Sequence, residues 1–485
     1  MSFRTTVTTA SGDVLGHEAD GASSFLGIPY ASDPVGALRF APPTPHPGWS
    51  TPLLATSPGP AVPQPPSRLE PIMGRPNATY SESGSLTLNV WTPDTDGRLP
   101  VLLWLHGGAW TTGSAGWDWY NGQRLATEGR IVVVTANYRL GPLGYLYLAG
   151  HGVDDAQGNY GLRDQSLALR WVHQNIAAFG GDPDMITVAG QSAGAHAAIQ
   201  LGAHPGTKPL VKRLFLQSVP WKVPHQTVAQ ATDMATEFLE LSGVPGPAEQ
   251  LRETPVDQLL ETGTRLAQQH AVAGLSGAPT LGVILTPETP WENAFDTTLS
   301  GVDDTVDVLM GYTSRETSAF LHGVFDLAQL TDAQCAHILT VVLRDPEAAD
   351  TYTLFRERDL DAEPHRILAA AATDAVFRTP TRDIATRRRP FATGATHVYE
   401  FGFGNEAIGP CHCIDLPFLF DNLDTWKDAP MLADLPPRDA RRTADEFSRA
   451  VARFVTTGDP GVSNTEQTHT DTGEYVIEFP TPAQS

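Results

Sequence analysis

Met185-Ile186-Thr187-Val188-Ala189-Gly190-Gln191-Ser192-Ala193-Gly194-Ala195-His196-Ala197-Ala198 is the stretch whose reading decides the fold. Residues 185–189 form a short apolar run with β-branched members, the pattern of a buried strand. Residues 193–201 are rich in alanine and read as a helix. Between the two lies Gly190-Gln191-Ser192-Ala193-Gly194, a G-x-S-x-G pattern. Five residues of that kind mean little alone, and a glycine-closed turn around a solvated serine would account for them. The strand before and the helix after change the reading. A serine on a sharp strand-to-helix turn needs glycines on both sides, because neighbouring backbone passes too close for a side chain.

Working outward, further short apolar runs at 101–105, 131–137, 213–217 and 306–311 read as buried strands, and 396–403 alternates more weakly. Helical spacing fills gaps between them, as at 162–179 with Leu167, Trp171, Val172 and Ile176 on one side. Strand, helix, strand in succession predicts an α/β protein with a mostly parallel central sheet and helices on both faces. Residues 228–266 and 332–368 look helical without a strong strand, so they are expected as excursions from the sheet. The length prior of about 150 residues per domain allows about three domains. The pattern is instead read as one large domain over 1–485, with helical insertions at 225–300 and 320–390.

Thirty-two Lys and Arg against fifty-five Asp and Glu leave a net charge of −23 on 485 residues. With 41% hydrophobic and 18% charged residues the chain has material for a large core and is no disordered polyelectrolyte. So acidic a chain offers no basic stripe for nucleic acid. Its one basic run, Arg387-Arg388-Arg389 before Pro390, is expected as a solvated turn. No run approaches the roughly 20 apolar residues of a membrane span. Residues 1–10 lack the apolar segment of a secretion signal, so the mature chain is expected to start near Met1. Three cysteines (Cys335, Cys411 and Cys413) are too few for a disulfide framework, and a Cys411–Cys413 bridge would close a strained ring. The expectation is a cytoplasmic enzyme.

The strand at 101–105 runs into His106-Gly107-Gly108-Ala109-Trp110. Glycines there let backbone N–H groups face a cavity, and with the N–H of Ala193 they would form an oxyanion hole. Further blocks accompany the two motifs: Phe25-Leu26-Gly27-Ile28-Pro29-Tyr30-Ala31, Leu38-Arg39-Phe40, Leu86-Thr87-Leu88-Asn89-Val90, Asn137-Tyr138-Arg139-Leu140-Gly141, Gly158-Asn159-Tyr160-Gly161-Leu162 and Phe179-Gly180-Gly181-Asp182-Pro183. In this fixed order they resemble the type-B carboxylesterases, the α/β-hydrolase group that also contains cholinesterases and bacterial p-nitrobenzyl esterases. The resemblance is dense from about residue 15 to 221 and patchy beyond.

What the resemblance implies is a triad in the order nucleophile, acid, base. Its acid follows a strand ending in glycine by five residues, which points from Gly311 to Glu316. Asp303, Asp304 and Asp307 are rivals that precede that strand or sit within it. The stretch Gly409-Pro410-Cys411-His412-Cys413-Ile414-Asp415-Leu416-Pro417-Phe418 resembles the family's histidine loop and makes His412 the base. A metal site on Cys411-His412-Cys413 is disfavoured, since consecutive side chains do not converge on a tetrahedral ion. The catalytic set is therefore Ser192, Glu316 and His412, with Gly107, Gly108 and Ala193 as oxyanion donors. The expected activity is hydrolysis of small-molecule carboxylic esters through an acyl-enzyme, without cofactor or metal. Carbamate, amide or polyester cleavage by the same triad is the alternative, and a disabled binding scaffold a remoter one. The partner is expected to be the ester alone, with no nucleic acid or membrane, on a monomer or small homo-oligomer.

Four departures from the family accompany this reading. Val62 and Ser85 stand where secreted members carry paired cysteines, as suits a reducing compartment. Gln191 replaces the glutamate many relatives carry, which predicts a changed local network with activity retained. Val219 stands where the family tends to have glycine, and residues after 460 match nothing in it. Trp110, Trp117, Trp119 and Trp221, with Tyr120, either wall a pocket for apolar groups or pack under loops. The negative charge weakly favours neutral or cationic esters.

Overall fold

The computed structural model describes residues 3–271, 280–323, 326–343, 345–461, 467–469 and 475–479. Thirteen strands form one sheet: β1 (Phe3–Thr9), β2 (Gly12–Ala19), β3 (Ala22–Pro29), β4 (Leu53–Leu54), β5 (Thr87–Thr92), β6 (Leu99–Leu105), β7 (Val132–Ala136), β8 (Gly181–Gln191), β9 (Arg213–Gln217), β10 (Asp307–Thr313), β11 (Thr396–Phe401), β12 (Gln467–His469) and β13 (Tyr475–Phe479). They lie in the order β1-β2-β3-β5-β7-β6-β8-β9-β10-β11-β13-β12, with β4 beside β2. From β7 to β13 every neighbouring pair is parallel, and the pairs from β1 to β7 are antiparallel. The expected parallel core is therefore present, extended by an antiparallel wing. Its β2–β3 hairpin turns at Asp20-Gly21, both with positive φ, a turn signal legible in the sequence.

Side chains alternate across the parallel strands into two cores. Val101, Leu103, Leu105, Val132, Val134, Ile186, Val188, Leu214, Leu216, Val308 and Met310 face one layer, packed by the helices Tyr160–Asn175 and Ala193–Ala203. Leu102, Trp104, Val133, Ala189, Phe215, Leu309 and Tyr399 face the other, covered by Gln123–Gly129 and the 21-residue helix Pro437–Thr457. Helices Val228–Ser242 and Val256–Gln269 contribute to a third cluster. Asp332–Leu343, Ala348–Arg358 and Pro364–Thr373 form a fourth. Among the described residues no helix is long and apolar enough to cross a membrane.

Buried charges knit these layers. Arg139 is 2% exposed and donates through Nε and Nη2 to the fully buried Asp164, at 2.9 and 2.8 Å. Its own N–H also reaches Asp164, Nη1 donates to the carbonyl of Ala41, and the guanidinium lies over the Tyr160 ring. Arg39 is clamped by Glu82 and donates to the carbonyls of Leu251, Arg252 and Thr254, tying the loop near Ser85 to the helical region. Packing thus holds that loop, with Val62 in the third cluster and all three cysteines free.

The basic run corrects the sequence reading. Arg387 and Arg388 end the helix Thr379–Arg388, and Arg388 is buried, donating to the carbonyls of Asp303 and Val306. Arg387 lies over the Phe295 ring. The helix end carries Arg388 against the loop before β10, whose carbonyls its guanidinium satisfies, while Arg387 stays exposed; the run is thus a helix end with one structural arginine rather than a solvated turn. The Arg139–Asp164 pair yields a test: Asp164→Ala should cost about 3–5 kcal/mol of stability in urea unfolding, because a buried guanidinium loses its only counter-charge.

Candidate active site

β8 delivers Ser192 to the end of the parallel sheet, between β6 and β9. Ser192 has φ 55° and ψ −122°, a conformation that a side chain adopts only under constraint. The constraint is close packing. A Cβ on Gly190 would meet the backbone of Gly194 at 2.4 Å, and one on Gly194 would meet the carbonyl oxygen of Leu105 at 2.0 Å. The Ser192 N–H donates to the Gln217 carbonyl, and the helix Ala193–Ala203 leaves at once. Ser192 is half-buried while its neighbours from 189 to 203 are buried, so the turn leaves this one residue accessible.

The loop after β6 faces it. Ala109 and Trp110 have positive φ, and Gly108, at φ 116°, has no room for a Cβ beside the carbonyl of Thr112. Two braces hold the loop. Neutral His106, pushed down to about 4 by burial, donates from Nδ1 to the Gly107 carbonyl, and the Tyr138 hydroxyl donates to the His106 carbonyl. Gln64 meanwhile bridges both sides of Gly113. Outside helices and strands, no backbone bond among the described residues uses the N–H of Gly107, Gly108 or Ala193.

Glu316 and His412 meet beside this turn. Glu316 is fully buried after β10; Oε1 accepts from the Thr313 N–H at 2.8 Å, and Oε2 accepts from His412 Nδ1 at 2.6 Å. The His412 N–H returns to the Glu316 carbonyl, fixing the loop as well as the ring. Phe320 and Phe377 pack on the imidazole at 4.9 and 5.6 Å. Its Nε2 lies 2.9 Å from the side-chain nitrogen of Gln191. Ser192 Oγ makes no hydrogen bond among the described residues, a loose geometry common before substrate arrives. Asp303, Asp304 and Asp307 lie elsewhere: Asp303 holds Thr305 and Lys208, the Asp304 carbonyl accepts from Gly394, and Asp307 pairs with Arg213.

Asp415, quoted above only as part of the histidine loop, is a further member. It is fully buried, accepts from Gln217 at 2.7 Å and Tyr399 at 3.1 Å, and leaves Oδ1 without a partner. Burial and then the charge of Glu316 push its carboxyl up to about 7. Burial likewise raises the Cys411 and Cys413 thiols, so both are protonated near neutrality.

The tryptophans have packing partners. Trp221 is fully buried and donates to Thr381, Trp119 stacks on Trp426 at 4.4 Å, and Trp117 meets Trp119 edge-on. Trp110 packs edge-on against His196, which lies 2.9 Å from His225. Sequence reasoning missed the His106–Tyr138 brace, although both residues lie inside the quoted blocks.

A family profile described as "Carboxylesterase family" matches residues 4–476. A phenmedipham hydrolase of Pseudarthrobacter oxydans is 34% identical over 478 residues, covering 95% of this chain and 91% of that one. A para-nitrobenzyl esterase of Bacillus subtilis is 32% identical, covering 97% and 94%. The crystal structure of a Geobacillus stearothermophilus carboxylesterase superposes with a TM-score of 0.83 at 31% identity, over 98% of this chain and 96% of that one. The fold is thus the α/β-hydrolase fold.

Two outcomes follow from the geometry. Glu316→Gln should lower kcat by about three orders of magnitude or more with the fold retained, because the imidazolium loses its counter-charge. Asp415 binds a proton in the native state between pH 4 and 7 that the unfolded chain, near 3.8, does not hold. Its contribution to stability therefore falls as pH rises through that window. From pH 5 to pH 8 the wild type should lose about 2–3 kcal/mol more than Asp415→Asn, measured by urea unfolding.

Proposed function

The chain belongs to the carboxylesterase family and is a carboxylic-ester hydrolase, and from that premise we propose that Ser192, Glu316 and His412 carry out the hydrolysis. His412 Nε2 takes the proton of Ser192 as its oxygen attacks the ester carbonyl. The oxyanion so formed accepts hydrogen bonds from the N–H groups of Gly107, Gly108 and Ala193, each worth about 3 kcal/mol to the transition state. Imidazolium at His412, balanced by Glu316, protonates the departing alcohol. Water then repeats the attack on the acyl-enzyme and frees Ser192.

The observation that supports this reading best is the 2.6 Å bond between Glu316 Oε2 and His412 Nδ1. It leaves the other imidazole nitrogen toward the turn that exposes Ser192. Three backbone N–H groups on the facing loop and helix start, which have no backbone acceptor among the described residues, add to it. We extend the reading to neutral esters with apolar groups, for which Trp110 beside the loop after β6 would supply an aromatic wall, whereas Trp117, Trp119 and Trp221 pack into the interior. Carbamates and amides are the second class, the relative being a phenmedipham hydrolase. Free, buried cysteines support a reducing, cytoplasmic setting, with the protein as a monomer or small homo-oligomer.

Labelling with an organophosphonate and peptide mapping test the nucleophile. One adduct per chain on the Ser192 peptide is expected, and Ser192→Ala should take none and lose turnover while unfolding as the wild type does. Label on another residue, or turnover persisting in that variant, sinks the assignment. Rates on matched ester, carbamate and anilide analogues then separate the two substrate classes.

A further inference from the structure

The nitrogen that the base needs for catalysis is already in contact with another side chain. In the neutral ring the hydrogen sits on Nδ1 toward Glu316, Nε2 then accepts, and the Gln191 amide 2.9 Å away donates to it. That amide is caged. Gln191 is 1% exposed and anchored by the pairing of its backbone with Gln217 on β9. Its Oε1 lies 2.4 Å from where a Cβ of Gly107 would stand, so the glycine of the oxyanion loop also makes room for this side chain. The Ser192 hydroxyl has no bond to the base in this arrangement.

Resting on the reading of Ser192 and His412 given above, we propose that Gln191 is a positioning residue whose amide holds His412 neutral and aimed at the turn, and so sets the lower pH limit of catalysis. The chemistry of an amide suits the task. Its N–H donates to the neutral imidazole. Once the Ser192 O–H bond breaks, the new O–C bond forms and the proton rests on Nε2, the caged amide gives that N–H no acceptor, and the proton passes to the leaving alcohol. A carboxylate at this position would serve only the charged ring, and an apolar side chain neither form.

The groups facing His412 are few. Glu316 holds Nδ1, and Asp415, three residues on, is the other buried carboxyl. Cys411 and Cys413 flank the ring on its own loop, Phe320 and Phe377 cover it without charge, and Gln191 and Ser192 approach from the turn. Asp415, pushed up to about 7, titrates within the range of the profile, so the comparison is made in both the wild-type and Asp415→Asn backgrounds.

The measurement is kcat/KM for p-nitrophenyl acetate against pH, with stoichiometric phosphonate labelling and thermal unfolding of each variant. Gln191→Glu should move the acid limb up by about one pH unit, since a carboxylate about 3 Å from Nε2 favours the imidazolium. Gln191→Met, similar in size without the donor, should move it up by about half a unit. Both displacements should persist with Asp415→Asn. A Met profile that superposes on the wild type leaves Gln191 a space-filler, and a Glu limb that is unmoved or lowered overturns the proposal. If Gln191→Met does not fold, the Glu variant decides alone. A wild type that takes no label at Ser192 fails the triad reading instead, whereas normal labelling with unmoved profiles fails only the role of Gln191.

Discussion

The close approach of backbone to backbone at Gly190 and Gly194 is the constraint on which the rest of this structure depends. β8 and the helix Ala193–Ala203 can be joined by one residue only if the helix start sits against β6, and a methyl group at either glycine would stand 2.4 Å or less from main-chain atoms. The strain this imposes falls on Ser192, at φ 55°. Strain of a few kcal/mol persists only where surrounding packing over-determines it. Here that packing is a sheet buried on both faces, with Leu105 and Val188 on one side and Trp104 and Ala189 on the other.

The same approach brings the loop after β6 to the serine. Because Gly194 touches the carbonyls of Leu105 and His106, the strand end and the helix start cannot drift apart. His106, Tyr138 and Gln64 then fix the loop by hydrogen bonds in which each polar atom used is buried or half-buried. Arg139, next to Tyr138 in the chain, is held by the Asp164 carboxylate against the helix Tyr160–Asn175. A run of buried contacts therefore leads from an ion pair just past the end of β7 to the loop that faces Ser192. Buried ion pairs add little net stability over apolar packing, and a role in specifying one geometry accounts better for this one.

Buried carboxyls carry the complementary cost. Glu316 spends both oxygens on fixed donors, Thr313 and His412, deep in the interior. Asp415 next to it resolves the conflict between two acids differently: its carboxyl, pushed up to about 7, carries a proton over most of the acid range while Gln217 and Tyr399 hold one oxygen. A glutamine at 191 in place of a carboxylate spares the site a third buried carboxyl, and its neutral amide sits 2.9 Å from His412 Nε2.

By itself the sequence determined the class of fold and the position of the turn, and it singled out Glu316 and His412, which the structure brings into contact. Apolar runs of strand length separated by helical spacing specify a parallel sheet, because only that pairing buries both faces of such strands. The G-x-S-x-G and His-Gly-Gly motifs were legible because the chemistry needs small residues at fixed offsets within one local segment. Local pattern was weaker at the antiparallel wing, whose strands gave no reading, and at Arg388, which a helix end turned inward while Arg387 stayed exposed. Only the tertiary structure decided what shares space across distant segments: Glu316 with His412 across 96 residues, Gln191 with His412 across 221, Gln217 with Asp415 across 198. Those contacts depend on strand order and on the path of loops between strands. Neither is encoded by spacing along the chain, because a side chain's partner there is set by which strand lies beside its own.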